Sequence, residues 1–437
     1  MSPADLVSLV VCDLGAIVRG RAVLASEIEE PLASGIGWVP ANHALTPLGP
    51  LAEPSPFSST GDLRLIPDPQ TRTRVGEVPG ASALELMLCD IVELDGQPWA
   101  CCPRAFLTRV LADLRERTDA VAHASFEHEF QLLREERAEL PFSLAAQRRA
   151  EPFGSELMGA LVEADVEPER FFAEYASHQF EVPVAAAPAA QAADRAVVVR
   201  EVVREVARRE GARVTFVPLL DPGEAGNGVH IHLSLHDEGG RPLLYDAARP
   251  GGLSELGGAF AAGVLAHAPA LCALTAPSPV SGERLRPHRW SAGAVCLGER
   301  NRETLLRIPP LSTLGGMGPE AQMRLEYRAA DAAGNPHLAL GAILAAGLHG
   351  IASGMPAPEI LDRDPSTLDA QEADRFGVGA LPGALEEALD ALAEDEVLRG
   401  ALGEPLYEAY DAVKRAELAL VAQLPVEQRC HRYAEAY

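Results

Sequence analysis

The chain has 437 residues, more than one hydrophobic core usually supports, so two or more lobes are expected. Its 47% hydrophobic and 23% charged residues suit a globular protein and exclude collagenous, mucin-like or wholly disordered architectures. A formal net charge of −26 counts against nucleic acid or an anionic membrane as the main partner, and requires any phosphate ligand to be held locally by arginines and metal ions.

Met1 to Ser8 has no basic segment, and the apolar run Leu6 to Val11 gives way to Asp13, far short of a membrane span or an ordinary signal. Seven cysteines (Cys12, Cys89, Cys101, Cys102, Cys272, Cys296 and Cys430) form an odd set without C-x-x-C. Reduced thiols in a soluble cytoplasmic protein are expected. Leu6 to Ser26, rich in valine and broken by Asp13, Gly15 and Gly20, predicts a hairpin opening a small β-rich lobe. The Gly- and Pro-containing stretch to Pro56 reads as loop, and Leu63–Ile66 and Ala83–Val92 as strands, closing a first domain at residues 1–100.

From Ala105 to Thr118, Leu107, Val110, Leu111 and Leu114 fall on one face of a helix that opens a second domain, residues 101–437. Pro183 to Ala193 reads as a surface loop, and Arg195–Gly211, Leu253–Ala273 and Pro336–Ile351 as helices. Pro382–Gly400 and Glu404–Leu424 form a C-terminal helical pair, and no internal repeat is visible.

Three short segments place polar groups at strand spacing, where residues two apart share a face. They are Glu127 and Glu129 in FEHEF, His230 and His232 in VHIHL, and Glu326 and Arg328 in LEYR, with Arg324 just before. One such segment alone suits a solvated edge, but histidines flanked by Val, Ile and Leu are odd choices for water, and Gly226-Asn227-Gly228 before them suggests close backbone approach to a ligand. Oxygen-rich clusters with little nitrogen and no sulfur suit Mg²⁺ or Mn²⁺. Six arginines between Ser281 and Pro309 (Arg284, Arg286, Arg289, Arg300, Arg302 and Arg307) offer bidentate clamps for phosphate and carboxylate.

The run GNGVHIHLSL at 226–235 resembles the ATP-binding signature of glutamine synthetases, approximately N-G-S/G-G-M-H-x-H-x-S. Segments 62–69, 90–96, 126–130, 179–182, 301–309 and 324–351 are similar to the same family and follow its order along nearly the whole chain. The resemblance implies an α+β fold: an N-terminal β-grasp lobe, and a catalytic lobe whose curved antiparallel sheet is flanked by helices. It implies one metal on Glu129, Glu174 and Glu181 and a second on Glu127, His230 and Glu326. It implies glutamate at Gly226, Arg284 and Arg328, beside Glu129 and His230, and ATP or the transferring phosphoryl group at His232, Ser234, Arg302, Arg307 and Arg324. The cofactors would be ATP and Mg²⁺ (or Mn²⁺), the substrates glutamate and an amine, and the assembly a homo-oligomer, a dodecamer of two stacked hexameric rings.

Such a site phosphorylates a carboxylate with ATP and lets an amine attack the acyl phosphate. Two departures bear on the amine. Where ammonia-using members carry a flap glutamate after Arg-Leu-x-Pro, Arg284-Leu285-Arg286-Pro287-His288-Arg289 is followed by Trp290, and Leu32 to Trp38 lacks the aspartate of their Asp-Gly-Ser-Ser segment. A pocket without carboxylates binds ammonium poorly, whereas an indole offers an apolar wall and a cation–π face, so an organic amine is expected, with His288 as candidate base. The alternatives are a true glutamate–ammonia ligase with a remodelled ammonium site and a catalytically silent member with a binding or regulatory role. Six intact ligand positions speak against the last. No tyrosine lies between Ala370 and Glu404, so an adenylylation-loop tyrosine has no counterpart.

Overall fold

In the computed structural model, which describes residues 5–76, 82–289 and 291–437, the valine-rich start forms the expected hairpin, Leu6–Cys12 against Val18–Leu24. Asp13 makes its turn, the carboxylate accepting the backbone N–H groups of Gly15 at 2.9 Å and Ile17 at 2.8 Å. Leu6–Cys12 then runs parallel to Leu84–Val92, which pairs antiparallel with Leu63–Pro67 and Thr73–Val75. A first strand lying parallel to the lobe's last is the β-grasp arrangement. The stretch expected to be loop up to Pro56 also contains a helix, Glu29–Ser34, and an edge strand, Ile36–Trp38, of six and three residues. Elements that short show no period to read.

The second lobe is built on a sheet in the order Ile360–Leu361, Ala294–Glu299, Thr304–Ile308, Leu325–Tyr327, Val229–His236, Val121–Leu132, Gln179–Pro183 and Phe172–Ala173. All pairings from Thr304–Ile308 onward are antiparallel, while Ala294–Glu299 runs parallel to both its neighbours, an exception to the antiparallel expectation. Behind it, the helix Pro336–Ala352 starts with Asn335 accepting the N–H groups of His337 and Leu338 and with proline at its first position. It is buried along most of its length and packs on Glu255–Ala266 at a glycine contact, where a Cβ on Gly350 would lie 2.1 Å from the Ala259 carbonyl.

Three helix expectations are corrected. Leu253–Ala273 is two helices, Glu255–Ala266 and Ala268–Thr275, bent by 76° where Pro269 starts the second. Pro382–Gly400 is split by Asp395, which caps Glu396–Leu402. Pro183–Ala193 is no surface loop: Ala189 opens the 21-residue helix Ala189–Arg209 and Ala192 and Ala193 are buried. The helices Phe153–Glu163 and Val426–Ala434 were not anticipated.

Arg104, on the first turn of Pro103–Thr118, ties the lobes together. Its guanidinium reaches Asp68 at 2.7 Å, Asp90 at 3.1 Å and Asp194 at 2.8 Å, and Asp194 also meets His337 at 2.8 Å. Removing one partner from such a network leaves buried charge uncompensated, so Arg104→Ala is expected to cost about 3 kcal/mol in urea unfolding. A loss under about 0.5 kcal/mol would show that the network contributes nothing to stability.

Candidate active site

Directly opposed residues of antiparallel strands point to one face, so register decides which polar pairs meet. Arg307 stands opposite Glu326, Glu326 opposite His232, His230 opposite Glu127, and Glu129 opposite Glu181. Five strands therefore deliver one continuous polar row to the same side of the sheet. The row lines a cavity of about 430 Å³ together with Glu174, Arg289, Arg302, Arg324 and Arg328.

Two sets of donor atoms converge to within 4.8 Å of one another: Glu127, His232 and Glu326, and Glu127, Glu181 and His230. The sequence-based assignment put His230 with Glu127 and Glu326 and gave His232 to the nucleotide, whereas here His232 faces Glu326. Strand spacing puts both histidines on one face but cannot say which neighbour each will meet. His232 Nε2 lies 3.0 Å from a Glu127 oxygen yet makes no aligned hydrogen bond. A buried imidazole nitrogen converging on carboxylate oxygens, with no thiolate nearby, has the donor chemistry of a divalent hard-metal site.

The electrostatics divide the acids. Burial would raise Glu127, but His232 and His230 outweigh it and hold the carboxyl well below its usual range. Glu326 also resists burial: Arg328 above all, then His232, His230 and Arg307, bring it down to about 2. Arg307 Nη1 donates to it at 2.6 Å, and Arg328 Nη1 donates to its other oxygen. By contrast, burial and the Glu129 charge push Glu174 up to about 7, and burial with Glu129, Glu127 and Glu174 pushes Glu181 up to about 10. Carboxylates crowded this way ionise together only beside added positive charge.

Glu129 is held by its own support. Its carboxylate accepts the Gly228 N–H at 2.7 Å and the Gln179 amide at 3.1 Å, and the same amide reaches Asn227 Oδ1 and the Gly226 carbonyl. Gln179 was not singled out, although it stands at strand spacing from Glu181. Gly226, which lines the cavity, is required by close packing: a Cβ there would lie 2.1 Å from the Pro218 carbonyl and 2.8 Å from Arg284 Cγ. Arg284 itself is 2% exposed beneath that turn, donating to the carbonyls of Ala329 and Ala330.

Other expected residues fall variously. Arg324 lines the cavity and donates to His232 Nδ1 at 3.1 Å, and Arg302 is exposed within it, its carbonyl accepting Arg328 Nε at 3.1 Å. Ser234 shares the face of His232 but does not line the cavity. His288 lies outside: its backbone is left-handed at φ 63°, its imidazole is largely exposed, and Asp364 is 3.8 Å away. Trp290 is outside the described residues. Arg289, one of the six arginines singled out in sequence, also lines the cavity, as do Phe172, Tyr175 and Arg170, which were not anticipated and carry no pattern that marks them in sequence.

Comparison with known proteins agrees with this geometry. The model of the glutamine synthetase N-terminal domain matches residues 1–99, and that of the glutamine synthetase catalytic domain residues 100–433. Gamma-glutamylpolyamine synthetase GlnA3 of Streptomyces coelicolor is 36% identical over 408 residues, covering 90% of this chain and 85% of that protein. The glutamine synthetase of Methanocaldococcus jannaschii is 32% identical over 367 residues, covering 82% and 79%. A solved structure titled as a novel glutamine synthase homolog superposes with a TM-score of 0.93 at 49% identity, covering 100% of this chain and 99% of that one. A structure titled "Apo GmaS without ligand" superposes with a TM-score of 0.83 at 30% identity, covering 98% and 96%.

Proposed function

The chain belongs to the glutamine synthetase family, and from that premise we propose that it joins the side-chain carboxylate of glutamate to an organic amine. It is an ATP-dependent ligase that forms amide bonds. The choice of amine rests on the cleft mouth. Arg289, from the segment where ammonia-using enzymes carry an acid, lines the cavity with its guanidinium pinned on the carbonyls of Glu224 at 2.6 Å and Pro222 at 2.8 Å. An arginine there gives ammonium no counter-charge, whereas an amine with an organic body gains contact with Phe172 and Tyr175. The name of the Streptomyces relative, a polyamine ligase, supports the same class.

In this reading Glu129, Glu174 and Glu181 hold one divalent cation, and Glu127, His230 and Glu326 the other, with His232 beside the second. When bound, the cations neutralise phosphate oxygens and polarise the transferring phosphoryl group. Arg302, Arg307 and Arg324 orient the phosphates. Arg328 and Arg284, with the Gly226 turn, hold glutamate, whose carboxylate oxygen attacks the γ-phosphorus and displaces ADP. The amine then attacks the acyl carbon, phosphate leaves, and one proton is lost from nitrogen. The same reading takes the assembly to be two stacked hexameric rings, with membership of a typically oligomeric family in its support. A cytoplasmic place fits ATP use, the seven buried unpaired cysteines, and the lack among described residues of a single helix long and apolar enough to cross a membrane.

A panel of primary amines, scored by phosphate release with products identified by mass, tests the proposal. Organic amines are expected to exceed ammonium by at least about 100-fold in kcat/KM, the scale of discrimination that apolar contacts to a substrate's organic body supply. Ammonium as the best acceptor would sink it.

Metal binding carries its own pH signature. Glu174 and Glu181, raised to about 7 and about 10, bind protons in the folded metal-free protein that the unfolded chain releases near 4.5. Their contribution to stability is complete below the unfolded value and is lost as pH rises through 7 towards 10. Cations must displace those protons, so Mg²⁺ or Mn²⁺ binding at pH 7.5 is expected to release about one proton per chain, measured calorimetrically in buffers of different ionisation enthalpy. Binding without proton release would remove Glu181 from the ligand set.

A further inference from the structure

Behind the cleft, four charged side chains of alternating sign are sunk in the core: Arg284 at 2% exposure, Asp331 at 3%, and Lys414 and Glu417 at 0%. Arg284 Nε lies 3.9 Å from an Asp331 oxygen, and Lys414 donates to Glu417 at 2.7 Å. Hydrogen bonds to the segment Ala273–Thr275 bring the two pairs together. One turn before Lys414 on the helix Glu404–Val421, the Tyr410 hydroxyl donates to the Ala273 carbonyl at 2.5 Å, and two residues further on the Thr275 carbonyl accepts the Asp331 N–H at 2.9 Å. Burial pushes the Asp331 carboxyl up to about 6, with Arg284 and Lys414 among the groups holding it down.

Lys414 is the only lysine among the chain's 37 basic residues. Every other cation is an arginine, so a lysine retained at a fully buried point marks a place for a compact ammonium rather than a planar guanidinium. Buried ion pairs are costly and often outdone by apolar side chains, which makes bare stability a poor reason for keeping two of them. Arg284 wedges under the Gly226 turn, where its Nη2 is bonded to the Ala329 and Ala330 carbonyls. Its Nε and Asp331 Oδ2 make no hydrogen bond, so Asp331 acts on the guanidinium through charge rather than through a directed bond.

We propose that Lys414 is a positioning residue for the carboxylate substrate: its ammonium balances Asp331 as well as Glu417, and Asp331 in turn keeps Arg284 beneath the Gly226–Gly228 turn. The inference rests on the proposed reading of Arg284 as a holder of glutamate. It is tested in the full-length protein by comparing Lys414→Met with the double variant Lys414→Met, Glu417→Gln. The single variant is expected to raise the glutamate KM about tenfold while the ATP KM stays within about twofold, the size of effect expected of a side chain acting through another. The double variant removes the stranded Glu417 charge, so its Tm should recover, but its glutamate KM should stay raised because Asp331 still lacks the ammonium. Recovery of both, or equal rises for glutamate and ATP, overturns the proposal, and if the single variant does not fold, an unchanged glutamate KM in the double one does so alone. Loss of glutamate-dependent turnover in the unaltered protein would instead strike the ligase reading itself, and the role of Lys414 would fall with it.

Discussion

Glu127→Gln is expected to lower kcat by at least about a thousandfold at saturating Mg²⁺, the scale associated with removing a group that organises charge on the transferring phosphoryl. Glu127 is the one residue common to both converging donor sets and is a ligand of the second cation in the proposed reading, so losing its charge weakens that cation site directly. The amide keeps the shape of the side chain, and the strand pairing of His230 with position 127 is a backbone property that the substitution leaves alone. Tm without metal should therefore move by no more than about 3 °C, while the metal-induced rise in Tm should largely disappear. Activity retained within tenfold would mean that Glu127 lies outside the metal chemistry and would remove the centre of the proposed site.

The parts of this site legible in sequence are those that depend on period alone. Glu127 with Glu129, His230 with His232, and Glu326 with Arg328 each read as strand neighbours facing one way, and they do face one cavity. What period cannot supply is register: whether His230 or His232 meets Glu326 depends on how two strands slide past each other, and His232 does. Burial is similarly hidden, because Arg284 and Arg302 look alike in a run of arginines, yet one is 2% exposed in the core and the other exposed in the cleft. The start of the helix Ala189–Arg209 was missed because its first turns, rich in alanine after a proline, offer no large apolar side chains to set a period; Ala189, Ala192 and Ala193 are buried there. His288 was a reasonable base by chemistry alone, but a left-handed turn sends its ring towards Asp364. Local conformation of that kind is not encoded in residue type.

Arg302→Ala should separate catalysis from architecture more cleanly than any other arginine substitution here. Three guanidiniums flank the Glu326 end of the row, but two are committed: Arg307 and Arg328 each donate to the Glu326 carboxylate. Arg302 is the exposed one, placed in the cavity by the turn between Ala294–Glu299 and Thr304–Ile308. A guanidinium free to meet the charge that develops during phosphoryl transfer is worth about 10³-fold or more in kcat, and little of that is felt by the bound ground state. Arg302→Ala is therefore expected to lower kcat by about 10³-fold with glutamate KM and Tm nearly unchanged, and Arg302→Lys to recover only part of the loss because a point charge replaces a fork. Arg307→Ala should behave differently, losing Tm as well as kcat, since it leaves the buried Glu326 one donor short. If Arg302→Ala instead kept kcat within tenfold, the phosphoryl group would have to be stabilised elsewhere, and the polar row would be a metal site without the nucleotide chemistry assigned to it.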